Sequence, residues 1–330
     1  MKTTADLILA NINQGIVAID SNAKVTLCNK RAEELFDFKF SKPVPVTKLT
    51  QNKTLIDNVR EAIEKKEYVT FDYNTSNNEV YDIRLLPVVS DEVRLIMTIQ
   101  NVTHLRKVIL EKQQFFSNAS HELNTPLSSI IGYSELMLSD KTYNKAFIET
   151  IYKEATRMQA LIGGMLKISE HEEHKKIIDA TINLKGIVEQ VVTAAKPKAD
   201  SKKIEISVHA EECYIFANLE KITEVVANLV DNALKYTGKN GSIVVSLACN
   251  GGKAILSVKD TGIGIPSHAV GRVFERFYRV DKGRAKTEGG TGLGLAIVKH
   301  ICNHYKAPIR LQSNEGIGTE IIIIFTVTKQ

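Results

Sequence analysis

The sequence predicts a multidomain α+β protein in three parts: an antiparallel sheet carrying a few helices, a helical hairpin, and an α/β sandwich. Three observations carry that expectation. Short β-rich runs dominate up to about residue 103, apolar residues then step by three and four through two long stretches, and strands alternate with helices beyond residue 173. A length of 330 residues suits two or three hydrophobic cores better than one.

In the first part, Gly15 to Asp20, Lys24 to Cys28 and Tyr68 to Tyr73 read as strands, and Lys30 to Phe36 as a short helix. Glu79 to Val89 and Glu92 to Val102 are joined by the polar Ser90-Asp91, the pattern of a hairpin. From residue 104, Leu105, Ile109, Phe116, Ala119, Leu123, Pro126, Ile130 and Tyr133 form a heptad-like seam, interrupted by Lys112. After a turn at Ser139-Asp140-Lys141, a second seam runs Ile148, Ile151, Ala155, Met158, Ile162, Met165. Two such helices pair, and two copies make a dimeric four-helix bundle.

The stretch Glu170 to Lys176 offers no apolar surface and reads as a solvated linker, so a boundary is expected there. Beyond it, helices near 184 to 197, 219 to 236 and 293 to 305 alternate with strands. Asn250-Gly251-Gly252, between Ser242 to Cys249 and Lys253 to Asp260, is a strong hairpin signal. Ile309 to Gln312 and Thr319 to Thr328 close the layer. The expected domains are therefore 1–103, 104–172 and 173–330.

Composition narrows the function classes. Apolar residues at 43% and charged residues at 25% are those of an average soluble globular protein. The net charge of +5 is scattered rather than gathered into a stripe, which argues against direct nucleic acid binding. Cys28, Cys213, Cys249 and Cys302 lie far apart without zinc-site spacing, as expected of free thiols in a reducing compartment. No run approaches the roughly 20 apolar residues that span a bilayer, and Met1-Lys2-Thr3-Thr4 does not begin a signal peptide. A cytoplasmic chain, or a cytoplasmic part of something larger, is expected.

Two sets of residues carry chemistry. On the first long helix, His121 lies two residues from both Ala119 and Leu123, about 200° around the helix from each, so it faces solvent. Thr125, one turn on, shares that face, and Glu122 stands at its margin. A neutral imidazole is a nucleophile near neutral pH, and a neighbouring carboxylate can orient it and accept its other proton. Pro126 cannot donate to the carbonyl of Glu122, which is expected to bend or loosen the helix there. An isolated His-Glu pair is most often only a solvated helix face.

The second set lies between residues 220 and 320. Asn228, Asn232 and Lys235 share one helix face, and amide oxygens suit a hard cation. Asp260 ends a strand and is followed by Gly262 and Gly264, which allow a ligand close backbone approach. The segment Val280 to Glu288, with Lys282, Arg284 and Lys286, has the composition of a loop that folds over a polyphosphate. Gly289 to Val298 is glycine-rich and opens a helix, presenting free N–H groups to phosphate oxygens. The Gly262-Ile263-Gly264 turn lacks the helix start and third glycine that mark dinucleotide binding.

The string Phe115-Phe116-Ser117-Asn118-Ala119-Ser120-His121-Glu122-Leu123-Asn124-Thr125-Pro126-Leu127 resembles the phosphoacceptor motif of sensor histidine kinases of the HisKA dimerisation type. The later clusters resemble, in order, the boxes of the same kinases' Bergerat ATP-binding fold. The resemblance implies a homodimer that uses Mg²⁺ and ATP to phosphorylate His121 and passes the phosphoryl group to an aspartate of a response regulator receiver domain. Catalytic roles then fall to His121, Glu122 and Thr125, the last in dephosphorylating the partner.

By the same resemblance Asn232 holds Mg²⁺, supported by Asn228, while Lys235 and Tyr236 contact the nucleotide. Asp260, beside Gly262 and Gly264, accepts from the adenine amino group. Arg276 and Arg279, in Val273 to Arg279, lie near the phosphates, and Gly290, Thr291, Gly292, Leu293 and Gly294 bind them. Gly316 to Thr319 completes the last box. Asn124 stands where the family usually has Arg or Lys, which alters the charge offered to a partner. Gly15 to Phe36, with Asn29, and Asn101-Val102-Thr103 resemble the opening and closing of a PAS domain, a module that binds a small ligand or relays strain as a dimer. The competing classes are an ATPase or chaperone of the wider Bergerat superfamily, which lacks the phosphoacceptor string, and a non-catalytic scaffold or partner phosphatase.

Overall fold

The computed structural model describes residues 4–140, 144–172, 178–280 and 290–328. Its chain divides into two compact units, with the boundary between Gln114 and Phe115.

The first unit holds α1 (Thr4–Asn11), β1 (Gly15–Ile19), β2 (Lys24–Cys28), α2 (Lys30–Phe36), β3 (Val44–Pro45), α3 (Val46–Leu49), α4 (Lys53–Lys65), β4 (Val69–Asn74), β5 (Val80–Pro87) and β6 (Leu95–Asn101). The strands form one antiparallel sheet in the order β3-β2-β1-β6-β5-β4. Its core joins Val17, Ile19, Ile83, Leu85, Leu95, Met97 and Ile99 of the sheet to Leu55, Val59 and Ala62 of α4. Val17/Ile19, Ile83/Leu85 and Leu95/Met97/Ile99 follow the period of two that puts alternate residues on one face.

Asn29 is buried and fully used. Its Oδ1 accepts from Ile16 N at 2.9 Å and caps α2 through Ala32 N at 3.1 Å, while its Nδ2 donates to the carbonyls of Leu9 and Gln14. At the other end of the unit, Asn101 Oδ1 accepts from Thr103 N at 3.0 Å, and Thr103 Oγ1 accepts from Val80 N at 2.9 Å. Side-chain capping of this kind lets the last strand turn directly into a helix, α5 (Thr103–Asp140).

The second unit begins with the rest of α5 and α6 (Lys145–Glu172). Ala119, Pro126 and Leu161 are buried, and the two helices meet through the rings of Tyr133 and Phe147, 5.1 Å apart, and through Glu122 and Arg157. α5 is continuous through Pro126. The buried line of α6 differs from the expected seam: Arg157, Leu161 and Ile168 are covered, whereas Ile148 and Ile162 are exposed. A two-helix hairpin covers only the stripe facing its partner helix, so the rest of a broad apolar face stays open. Of the expected turn at residues 139–141, Lys141 lies outside the described residues. Glu170 to Glu172, expected in a linker, extend α6, and residues 173–177 lie outside the described ones.

The remainder comprises β7 (Ala180–Asn183), α7 (Leu184–Ser201), β8 (Glu205–Ala210), β9 (Tyr214–Ala217), α8 (Leu219–Tyr236), β10 (Ser242–Asn250), β11 (Lys253–Asp260), α9 (Ser267–Val270), α10 (Gly294–His304), β12 (Ile309–Asn314) and β13 (Gly318–Thr326). Five strands run in the order β12-β13-β11-β10-β8, all antiparallel except β8 with β10, and β7 pairs with β9 in a separate ribbon. Gly251 and Gly252, at φ 58° and 74°, make the tight turn between β10 and β11 that only residues tolerant of left-handed backbone accept. Alternate residues Ile243, Val245 and Leu247, then Ala254, Leu256 and Val258, then Ile321, Ile323 and Phe325 bury one sheet face in a core shared with α7, α8 and α10.

Leu256 is completely buried on the central strand. Leu256→Ala is expected to cost about 2–5 kcal/mol in urea unfolding followed by circular dichroism, from lost burial and the cavity left behind. Ile317→Ala, at a position 70% exposed, is expected to cost less than about 0.5 kcal/mol.

Candidate active site

The nucleotide-type cluster is built on α8. Ile222, Val225, Val226, Leu229, Val230 and Ala233 bury one face of this helix, which leaves Asn228, Asn232 and Lys235 along its edge. Asn228 Nδ2 donates to the carbonyl of Glu224 at 2.9 Å, so its Oδ1 points outward, toward the start of α10. There a Cβ added to Gly294 would lie 2.8 Å from Asn228 Oδ1 and 3.8 Å from Asn232 Nδ2. The two amides and the N-terminal turn of α10, with its unsatisfied N–H groups, thus face one another.

Further along α8, Lys235 Nζ lies against Gly290, and Arg279 Nη2 donates to the Gly290 carbonyl. Lys235 also sits 5.0 Å from the centre of the Tyr236 ring. Lys235, Arg279 and the backbone from Gly290 to Gly294 therefore make a cationic, N–H-rich patch beside two amide side chains, a setting that favours phosphate oxygens. Thr291 Oγ1 accepts from Leu293 N at 3.3 Å and shapes this entry. Lys282, Arg284, Lys286 and Gly289, expected in the loop before it, lie outside the described residues.

The glycine-rich entry is tied to the aromatic segment before it. Phe277 N donates to Gly292 O at 2.9 Å, with Phe277 at φ 62° and Gly292 at φ 70°. A Cβ on Gly292 would approach Phe277 Cα at 2.9 Å, so only glycine fits. A left-handed conformation costs a bulky L-residue roughly 1–2 kcal/mol, which the burial of Phe277 offsets.

Asp260 ends β11 at the other side of α8. Its Oδ1 accepts from Gly262 N at 2.8 Å and Thr319 N at 3.3 Å, while among the described residues Oδ2 has no hydrogen-bond partner. Burial raises the Asp260 carboxyl above the ordinary aspartate range, and the two N–H bonds oppose that shift. Gly262 packs against the carbonyl of Tyr236, and Ile263 N donates to that carbonyl at 3.2 Å. Ile263 O in turn accepts from Gly316 N at 2.7 Å, which links the Gly264 loop to the last glycine box. The end of α8 is thus fastened to the aspartate loop.

His121 is exposed on α5, as its spacing predicts, and the neighbouring Thr125 hydroxyl donates to the His121 carbonyl at 3.1 Å. Glu122 turns inward instead of toward the imidazole face. Its Oε2 is 3.1 Å from Arg157 Nη2 and 3.7 Å from Arg279 Nη1. The Arg157 side chain is only 7% exposed and also approaches Glu154 at 3.6 Å. Burial lowers the pKa of Arg279 from its usual value, Glu122 opposes that shift, and Arg157 adds to it. Two buried guanidinium groups thus share one carboxylate, and removal of Glu122 would leave both with less compensation.

The nucleotide-type cluster and the hairpin also meet elsewhere. The rings of Phe115 and Phe277 are 5.5 Å apart, Arg276 lies 5.0 Å over the Phe115 ring, and Lys167 pairs with Glu224 at 2.9 Å. A Cβ on Gly164 would come within 2.8 Å of Leu293 Cδ1. The structure therefore brings Asn228, Asn232, Lys235, Arg279 and Gly290 to Gly294 together, and separately joins Asp260, Gly262, Tyr236 and Thr319. Arg276 is directed to Phe115, on the hairpin. Arg157 escapes sequence reasoning. The available signal is that 157, 161, 164 and 168 step by four, three and four, which puts an arginine on the buried line of α6.

Residues 111–174 match the family described as His Kinase A (phospho-acceptor) domain, and residues 217–329 the family described as Histidine kinase-, DNA gyrase B-, and HSP90-like ATPase. The sensor histidine kinase WalK of Bacillus subtilis is 32% identical over 95% of this chain and 54% of its own length. The sensor-like histidine kinase SenX3 of Mycolicibacterium smegmatis is 35% identical over 63% of this chain and 56% of its own length. The chain spans about half the length of these curated relatives. The structure of histidine kinase ThkA, solved in complex with the response regulator protein TrrA, shares the fold over 99% of both chains, with a TM-score of 0.57 at 21% identity. Matches to both a phosphoacceptor and an ATPase family, in this order, set the chain apart from ATPases and chaperones that have only the second. The chain belongs to the sensor histidine kinases of two-component systems.

Proposed function

We propose that the chain uses Mg²⁺ and ATP to phosphorylate His121 and then passes the phosphoryl group to an aspartate on the receiver domain of a response regulator. One observation carries this reading: Arg279 reaches both the Gly290 carbonyl in the phosphate-type loop and Glu122, next to His121. A single side chain thus connects the nucleotide-type cluster with the phosphoacceptor turn.

In this reading Asp260 Oδ2 accepts from the adenine amino group, Tyr236 and the glycine loops flank the base, and Lys235 with the N–H groups of Gly290 to Gly294 holds the phosphates. The donor set suits a metal shared with phosphate. Asn232 supplies a hard amide oxygen, Asn228 supports it, and among the described residues no three His, Cys, Asp or Glu side chains gather into a metal site of their own. Bound Mg²⁺ would neutralise charge on the phosphates. A His121 ring nitrogen attacks the γ-phosphorus, ADP departs, and Glu122 accepts or steers the other ring proton after leaving Arg157 and Arg279. The phosphoryl group then moves to the receiver aspartate.

Exposed Leu127, Ile131, Leu138, Ile148, Tyr152 and Ile162 on the hairpin support a homodimer that forms a four-helix bundle. The division is a PAS-like sensor domain at 1–103, the phosphoacceptor hairpin at 104–172 and the ATP-binding domain at 173–330. Among the described residues no helix is long and apolar enough to cross a membrane, which fits a cytoplasmic setting for this part of a sensor. Thr125, exposed one turn from His121, is the residue for removing phosphate from the partner.

With γ-labelled ATP and Mg²⁺, His121→Gln is expected to drop acid-labile labelling to background. Asn232→Ala is expected to abolish it through lost metal binding, and retention of label in either variant refutes the corresponding role. Asp260→Asn is expected to weaken ATP binding by about 2 kcal/mol, roughly thirtyfold in Kd by calorimetry. Because the Asp260 pKa is raised, the carboxylate is lost on acidification at a higher pH than an ordinary aspartate, so wild-type affinity falls there and the Asn variant shows no such step. Thr125→Ala is expected to slow dephosphorylation of a phosphorylated receiver by about 10²-fold while autophosphorylation persists.

A further inference from the structure

Outside the site just described, two cysteines from distant parts of the sequence are brought to the same end of one sheet. β8 and β10 run parallel, with Ala210 opposite Leu247. The chain leaving β8 stays attached to β10: Glu211 N donates to Leu247 O at 2.9 Å, and Cys249 N donates to Glu211 Oε2 at 2.8 Å. The pairing ends at Ala210 and Leu247, and Cys213 and Cys249 lie three and two residues beyond it, at the same end of the sheet. There Cys249 is the side chain that, after burial, acts most strongly on the Cys213 thiol. Cys213 is fully buried, and its carbonyl accepts from Leu184 N at 2.9 Å, whereas Cys249 is exposed. Neither has a part in the kinase chemistry, because Asp260 pairs with Ile243 at the opposite end of β10.

We propose that Cys213 and Cys249 form a reversible disulfide when the protein meets a low-molecular-weight disulfide, which makes this end of the ATP-binding domain a redox modification site. The exposed Cys249 reacts first. Its thiolate attacks oxidised glutathione, one glutathione thiol leaves, and Cys249 carries a mixed disulfide. Cys213 then gives up its proton and attacks Cys249 Sγ, expelling the second glutathione. Two protons and two electrons pass from the pair to the glutathione disulfide, which becomes two thiols.

Burial, then the Cys249 thiol, then Glu211 and Glu212 push the Cys213 thiol up to about 12. Both steps use a thiolate, so closure speeds up as pH rises. The covalent loop so closed contains β9, α8 and most of β10, and so encloses the helix that bears Asn228 and Asn232.

The test treats the full chain with oxidised glutathione at dilute concentration, removes the reagent, and reads intact mass and a peptide map. The expected product has lost two hydrogens, links the Cys213 and Cys249 peptides within one chain, and forms faster at higher pH. Cys249→Ser, at an exposed position, is expected to show no such loss. A lasting glutathione adduct on Cys249 with Cys213 still alkylatable overturns the proposal. So does a link between two chains, or no reaction at either cysteine.

Discussion

The nucleotide site depends on how α8 is buried. A helix repeats every 3.6 residues, so fixing Val225, Val226, Leu229, Val230 and Ala233 against the sheet and neighbouring helices fixes the azimuth of every other residue. Asn228, Asn232 and Lys235 fall on the edge that faces α10, at successive heights. Only a rigid core holds them there, because loss of packing would let the helix roll and scatter all three together. The glycine entry to α10 and the aspartate loop then assemble against that edge, one near its middle and one at its end.

The hairpin contributes a different kind of constraint, an electrostatic one. Arg157 and Arg279 are both nearly buried and both approach Glu122, the residue next to His121. Isolated charges are costly away from water, so each group constrains the others' positions more tightly than a surface pair would. The arrangement holds Glu122 away from the imidazole and keeps Arg279 between the hairpin and the Gly290 loop. Any movement that frees Glu122 takes an anionic neighbour from both guanidinium groups; Arg157 keeps Glu154, and the phosphates of a nucleotide are of the right charge to face Arg279.

What could be read in the sequence follows from how local each determinant is. The Gly251-Gly252 turn, the alternating strands of the central sheet and the solvent face of His121 are written within a few residues of themselves. The glycine boxes were legible for the same reason, since backbone at Gly292 tolerates no side chain. The seam of α6 was legible only as apolar spacing, because which stripe meets α5 depends on the partner helix. The inward turn of Glu122, the burial of Arg157 and the direction of Arg276 toward Phe115 were not legible. They depend on residues more than thirty positions away or on a different element. The β7–β9 ribbon is not legible either, because a four-residue strand holds too little alternation to mark it.

Gly164 illustrates a cost hidden in the hairpin. Glycine inside a helix sacrifices about 1 kcal/mol of helix propensity relative to alanine. Gly163 beside it has nothing within 4 Å of an added Cβ, whereas at Gly164 that atom would press on Leu293. At position 164 the lost propensity lets a backbone surface, rather than a side chain, receive the buried leucine at the mouth of α10. The energetic weakness therefore belongs to the free hairpin and its reward to the docked one. α6 is intrinsically less stable as a helix than its 28 residues suggest, and regains part of that deficit only when the leucine is seated against it.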